Sequence, residues 1–382
     1  MNKKITSQLD KFYKLSIDER RVVIRDFFGG KVTDTLSTGG VTDELLNKFI
    51  ENPIGFIGMP LGIAANFIIN GEEILIPMAI EEPSVIAAAS HAAKIVAKSG
   101  GFTAIPPAPL TVAQIELNEL AQNPEIIIEN REKIIAMANE SQKELVSLGG
   151  GAVDVEVRQN VGDCGRVVVH LTANCLDAMG ANIVNTMAEK VAPFLEKLTG
   201  GRAGLKILTN LADKRVAEAS CKVPFEYLNR GNLSGEEVAR KIAAAGEFAE
   251  DDPYRAATHN KGIFNGIDAV LVATGNDWRA VEAGGHAFAA TGGGYRPLAV
   301  WKIENCTLVG KLRIPMAVGV VGGASRFHPA AAAALDILGA KSAGQLSNAV
   351  VSAGLATNLA ALMALSTEGI QAGHMKLHKR RL

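Results

Sequence analysis

Between two stretches of mainly helical periodicity, residues 110–213 switch to a strand, helix, strand, helix, strand pattern. That switch restricts the chain to an α+β architecture with one domain set inside another. The pieces are residues 111–117, 124–148, 153–157 with 166–172, 180–198 and 205–209, and the Gly- and Pro-rich residues 100–109 lead into them. We therefore expect residues 108–213 to form a small domain, and residues 1–107 with 214–370 to form a large one.

Within the large domain, residues 1–50 carry helical periodicity, with Thr42 ahead of Asp43 and Glu44 at a helix start. Apolar runs on either side of Asn70-Gly71 predict a hairpin, because that dipeptide accepts the positive φ values of a two-residue turn. The hairpin delivers the chain to Glu82-Pro83-Ser84. Pro83 suits the first position of a helix over residues 84–98, which places Glu82 at or just before a helix N-terminus. Further on, helices are expected over 235–250 and 278–290, a strand over 269–273, paired strands over 298–309 and 311–318, and an Ala-rich helical region over 329–370.

A chain of 382 residues, 48% of them apolar, can bury a sizeable core. Its 39 Lys and Arg nearly cancel its 40 Asp and Glu, so no whole-molecule field favours nucleic acid or an acidic membrane, and an anionic ligand must be met by local groups. Cys164, Cys175, Cys221 and Cys306 form no C-x-x-C, and the N-terminus is polar, which points to a reducing, cytoplasmic setting. The most apolar stretches, 74–80 and 353–365, fall short of the roughly 18 continuous apolar residues of a membrane span, and none is expected.

No glycine run completes a Rossmann or P-loop signature. Asp177-Ala178-Met179-Gly180-Ala181-Asn182 instead follows a strand and opens a helix, which lets backbone N–H groups approach a phosphate; an ordinary helix cap would read the same. Lys261, in Thr258-His259-Asn260-Lys261-Gly262, precedes Asp277, which follows Gly275-Asn276 between an apolar strand and a helix, where either a functional carboxylate or a helix cap is expected. His374 and His378 are one helical turn apart, but no third ligand or H-E-x-x-H supports a metal, and none is implied.

Together, Glu82-Pro83-Ser84, the 177–182 motif, His259-Asn260-Lys261-Gly262, Gly275-Asn276-Asp277 and Gly373-His374-Met375 resemble the class II 3-hydroxy-3-methylglutaryl-coenzyme A (HMG-CoA) reductases, in order and at similar intervals from about residue 51 to His378. The resemblance implies a large, mainly helical substrate-binding domain with an inserted ferredoxin-like dinucleotide-binding domain. It also implies a homodimer with interfacial active sites, or a higher assembly of such dimers. By the same resemblance Glu82, Lys261, Asp277 and His374 are catalytic, and Ser84, Arg255, Asn265 and Asn358 contact the acyl group. Gln142, Lys143, Asp177, Met179, Gly180, Asn182 and Asn210 are implied to meet the cofactor.

These residue types suit reduction of a thioester to mevalonate and free coenzyme A, or the reverse. A fixed cation, Lys261, stabilises the oxyanion that forms at each hydride transfer, with Asp277 close enough to hold it. His374 can protonate the departing thiolate. Glu82 protonates the aldehyde oxygen; a helix N-terminus and Lys261 would hold it ionised, so burial or coupling to Asp277 must oppose them. Two departures from the family pattern stand out. NADH-preferring members resembling this chain carry an aspartate where Gln142 stands, followed here by Lys143, which favours NADPH or use of both cofactors. The family also continues past the histidine motif as a helical flap, of which residues 371–382 are only the start. A coenzyme A-linked aldehyde dehydrogenase would need a nucleophilic cysteine, and none lies in these motifs. A silent acyl-coenzyme A binder would have no need of all four catalytic groups.

Overall fold

The computed structural model describes residues 6–162, 166–367 and 369, which fall into two compact units. The first comprises Met1–Pro106, Ala217–Ile314 and Val320–Leu382, the second Pro107–Val216 with Pro315–Gly319. The second unit thus draws on a short segment about a hundred positions downstream of its main body, which no sequence pattern announces.

The first unit opens with short helices, including Ile17–Phe28, whose Ser16 and Glu19 form a reciprocal capping box. Strands β1 (Leu61–Ile69) and β2 (Glu72–Ala79) then pair antiparallel through Asn70-Gly71, with φ of 51° and 84°. Positive φ at both turn residues matches the right-handed twist of the strands, so the turn holds the register that the sequence predicts. Helix α1 (Val85–Ala97) follows. Pro83 was expected as the first helical residue, but it lies in the preceding turn, and Ser84 is the N-cap, at φ 80° with no side-chain cap.

The second unit is a ferredoxin-like layer. Its strands β4 (Leu110–Asn118), β5 (Gly151–Val161), β6 (Arg166–Asn174) and β7 (Arg202–Leu208) stand in the order β5-β6-β4-β7, all antiparallel. Helix α2 (Ala181–Thr199) and the helix Arg131–Glu140 pack on the layer, and Ala113, Ile115, Val169, Leu171, Met187 and Val191 form its core. The single helix expected over 124–148 is three pieces, Glu125–Glu129, Arg131–Glu140 and Lys143–Ser147.

Back in the first unit, β3 (Thr103–Ile105), β8 (Val216–Pro224), β9 (Ala299–Glu304) and β10 (Thr307–Pro315) make a second four-stranded sheet. The β9–β10 turn falls at Asn305-Cys306, earlier than the 309–311 boundary expected, because these two residues adopt φ of 46° and 59° in place of glycines. Helices α3 (Gly235–Asp251), α4 (Pro253–Ala273), α5 (Trp278–Ala290) and α6 (Ala343–Ser366) complete the unit. The strand expected over 269–273 is the end of α4. Ile267, Ala269, Val270, Leu271 and Ala273 are all buried, and an apolar run buried on several sides reads the same in a helix as in a strand.

Helix α6 is long and apolar enough by composition to cross a bilayer, which the sequence reading did not anticipate, but 72% of its most apolar window is buried inside the protein. It is the central helix, with α4 packed along it. Gly266 of α4 makes that approach possible, since a Cβ there would lie 2.6 Å from the Ala353 carbonyl oxygen and the Thr357 hydroxyl.

Candidate active site

Helix α4 carries three of the expected residues. Asp252 caps its N-terminus, accepting hydrogen bonds from the Tyr254 and Arg255 amides, and Pro253 occupies the first turn where a missing N–H costs nothing. Helical spacing then aligns Lys261, Asn265 and Asp268 along one side, while Arg255 lies on a different flank beside His259.

Lys261 Nζ donates to Glu82 Oε2 at 2.9 Å, with the two side chains 62% and 33% exposed. Residues 179 positions apart are joined because β2 ends just before Glu82 and packs, with α1, against α4. An ion pair this open contributes little to stability, on the order of 0–1 kcal/mol, so its position matters more than its strength. It leaves an ammonium and a carboxylate side by side, within reach of a ligand. Ser84 follows Glu82 by two residues, half-buried at a left-handed φ that a non-glycine residue adopts only under local constraint.

Asp277 takes the helix-cap position that its place in the sequence also suggests: its carboxylate caps α5, accepting from the Ala280 amide at 3.1 Å, and lies 3.4 Å from Arg279 Nε. Asn358 departs from expectation. At 1% exposure it accepts from the Trp301 indole N–H at 2.7 Å and donates to the His259 carbonyl at 3.5 Å, so its amide is committed to the core and presents nothing to a substrate here. Arg255 is half-buried and Asn265 partly exposed. His374 and His378 lie outside the described residues, as does the beginning of the flap.

Two titratable groups near this helix were not singled out from sequence. His259 is 2% exposed, and neither ring nitrogen meets a hydrogen-bond partner, the Ala299 backbone approaching without suitable geometry. Burial and the nearby Arg255 cation push its pKa down to about 4. Asp268 faces Glu282 of α5; burial and that second carboxylate push the Asp268 pKa up to about 8. Both belong to unremarkable polar positions in the sequence, and only packing distinguishes them.

In the second unit, Gly180 is the N-cap of α2 at φ 104°, and no side chain caps the helix. Its first-turn amides therefore have no intrahelical partner and no side-chain acceptor. A Cβ on Gly180 would lie 2.6 Å from the Cys175 sulfur and 2.7 Å from the Thr111 hydroxyl, so only glycine lets the loop settle this closely. Asp177, Ala178 and Met179 are partly buried, and Asn182 and Asn210 exposed. Gln142 is the N-cap of Lys143–Ser147, partly buried, with Lys143 exposed beside it. Among the described residues no three His, Cys, Asp or Glu side chains converge as a metal would require.

An acid and base pair in one unit and an uncapped helix N-terminus in the other are the arrangement the family resemblance leads one to look for. The profile described as Hydroxymethylglutaryl-coenzyme A reductase matches residues 16–379. The chain belongs to the HMG-CoA reductase family. It is 48% identical to the 3-hydroxy-3-methylglutaryl-coenzyme A reductase of Archaeoglobus fulgidus, covering 99% of this chain and 87% of that protein. It is 34% identical to a probable reductase of Borreliella burgdorferi, over 97% and 85% of the two chains. Among solved structures, a Streptococcus pneumoniae reductase superimposes with a TM-score of 0.91 at 41% identity, over 97% of this chain and 90% of that one. A class II enzyme from the same organism, bound to NADPH in open conformations, superimposes with a TM-score of 0.90, also at 41% identity, over 93% and 99%.

Proposed function

We propose that this family member reduces HMG-CoA to mevalonate and coenzyme A with NADPH, and that Glu82 and Lys261 stand at the reacting carbonyl. The observation that carries the assignment is the 2.9 Å Lys261–Glu82 pair, a cation and a carboxyl group held at a single point. Two NADPH molecules, bound in succession, would each supply one hydride, one for each reduction. At the first, negative charge grows on the thioester oxygen and Lys261 stabilises it more than it stabilises the neutral carbonyl. The carbon–sulfur bond then breaks, the electron pair leaves on sulfur, and His374 is assigned to protonate that thiolate. At the second, the aldehyde oxygen again becomes an oxyanion beside Lys261 and takes its proton from Glu82. Asp277 is assigned to tune both groups, a role that requires it to turn from Arg279 towards Lys261 when ligand arrives.

The first unit is assigned the acyl-coenzyme A, with Arg255, Ser84 and Asn265 as contacts; Arg255 offers a planar fork to the terminal carboxylate. Asn358 retains a place in that set only if it exchanges Trp301 for substrate. The second unit is assigned the dinucleotide. The uncapped amides at the start of α2 fit a phosphate, and Asp177, Met179, Gly180, Asn182 and Asn210 are assigned to the cofactor with them. Gln142 and Lys143 place no carboxylate against a 2′-phosphate, which favours NADPH while leaving NADH usable.

A homodimer and a cytoplasmic location complete the proposal. Residues Ile54 and Ile57, at 105% and 97% exposure, and the exposed Phe56 and Met59 belong to an extended apolar segment before β1, which a second copy of the chain would cover.

The two halves of the reaction test the roles. Glu82→Gln should leave reduction of the thioester measurable while lowering reduction of the free aldehyde by about a hundredfold or more; Lys261→Ala should lose both. Equal losses of the two half-reactions in Glu82→Gln would remove Glu82 from the proton-donor role.

A further inference from the structure

Arg215 is the most deeply buried arginine among the described residues, at 1% exposure, and nothing in the mechanism above uses it. Its guanidinium donates from one terminal nitrogen to Thr111 Oγ1 at 3.2 Å, the Ala178 carbonyl at 3.3 Å and the Met179 carbonyl at 3.0 Å. The other donates to Ala178 at 3.3 Å and to the Val318 carbonyl at 2.7 Å. Each of these acceptors is neutral. Nε has no hydrogen-bond partner. Asp177 and Cys175 act on the guanidinium electrostatically.

A guanidinium remains charged in essentially any protein setting, and taking that charge out of water is costly. Holding loop carbonyls alone could be done by a neutral donor without that cost. The position of the charge gives a reason for keeping it. Arg215 sits beneath the turn that leads into α2, and it draws the Ala178 and Met179 carbonyls towards itself. Across a planar trans peptide the N–H points opposite to the carbonyl, so the Gly180 amide is turned away from the guanidinium, in company with the uncapped first amides of α2. Gly319 closes the other side: a Cβ there would lie 2.7 Å from the Met179 nitrogen, so the 315–319 segment that carries the Val318 carbonyl is pressed against the same turn.

We propose that Arg215 is a positioning residue for the dinucleotide, clamping the 177–180 turn and the 315–319 segment so that the turn's amides face a phosphate, with its positive charge adding to the attraction. The inference rests on the assignment of this turn to the dinucleotide.

The test is NADPH affinity, read by quenching of cofactor fluorescence, together with steady-state constants for both substrates. Arg215→Met keeps the length and removes charge and donors; it should weaken NADPH binding about tenfold or more, raise the NADPH KM in step, and leave the HMG-CoA KM and the kcat at saturating NADPH near their original values. Arg215→Lys keeps the charge with fewer donors, and should recover part of the loss. Should Arg215→Met fail to fold, the Lys variant alone decides: a NADPH affinity equal to that of the unaltered chain overturns the clamp. A variant that folds yet loses both substrates equally, or neither, also overturns it. Ala181→Glu, which places a carboxylate in the first turn of α2, tests the underlying assignment separately. If it leaves NADPH binding intact, the turn is not the phosphate site and both readings fall; if it abolishes binding while Arg215→Met does not, only the clamp falls.

Discussion

Lowering the pH from 7 to 5 should destabilise the first unit through His259, by an amount that can be worked out. The imidazole is buried without hydrogen bonds and next to Arg255, which sets its folded pKa at about 4 against 6.5 in an open chain. A depressed histidine pKa means that the unfolded chain binds the proton more readily, so stability is full above about pH 6.5 and falls as the pH drops towards 4. The whole effect is about 3 kcal/mol, and about 2 kcal/mol of it is spent by pH 5. Trp301 is a built-in reporter, because its indole is buried and bonded to Asn358, whose amide in turn reaches the His259 carbonyl. Urea unfolding followed by tryptophan fluorescence at pH 7, 6 and 5, in the unaltered chain and in His259→Leu, isolates the histidine. The midpoint should fall with pH more steeply in the unaltered chain than in the variant, the two converging at low pH. Parallel curves would mean that His259 titrates normally and that the burial argument is wrong.

Other consequences are simpler to state. Asp268, with its folded pKa raised to about 8 by burial and by Glu282, destabilises the fold increasingly as the pH rises from about 4 to 8, so Asp268→Asn should raise the melting temperature at pH 8 and do little at pH 4. Asn358→Ala strands the buried Trp301 N–H and should cost about 1–3 kcal/mol in unfolding free energy, with a changed tryptophan emission. Ile57→Asp should shift the chain towards monomer in light scattering at micromolar concentration; an unchanged mass would place any dimer contact elsewhere.

Local chemistry was legible in the sequence wherever a few residues decide the backbone. Asn70-Gly71 gave the hairpin, Thr42 capped its helix as expected, and the pattern across 110–213 gave an inserted α+β layer, whose ferredoxin-like topology was implied by the family resemblance. The end of α4 was misread as a strand because burial on several sides erases the periodicity that tells the two apart. The Lys261–Glu82 pair was expected from the family motifs, although its distance could come only from the packing of β2 and α1 against α4. Asn358 shows the reverse. Its residue type fits a polar site, yet it is held by Trp301; Asp277 caps α5, as its position after Gly275-Asn276 allowed. Arg215 was invisible because nothing in a sequence marks which arginine will be enclosed.

The account depends most on the reaction itself, and the stoichiometry of cofactor consumption tests it most directly. Purified chain, limiting HMG-CoA and excess NADPH should consume two NADPH for each thioester and release one free thiol, with both signals absent in Lys261→Ala. Consumption of one NADPH with an aldehyde left over, or a rate that survives loss of Lys261, would contradict it.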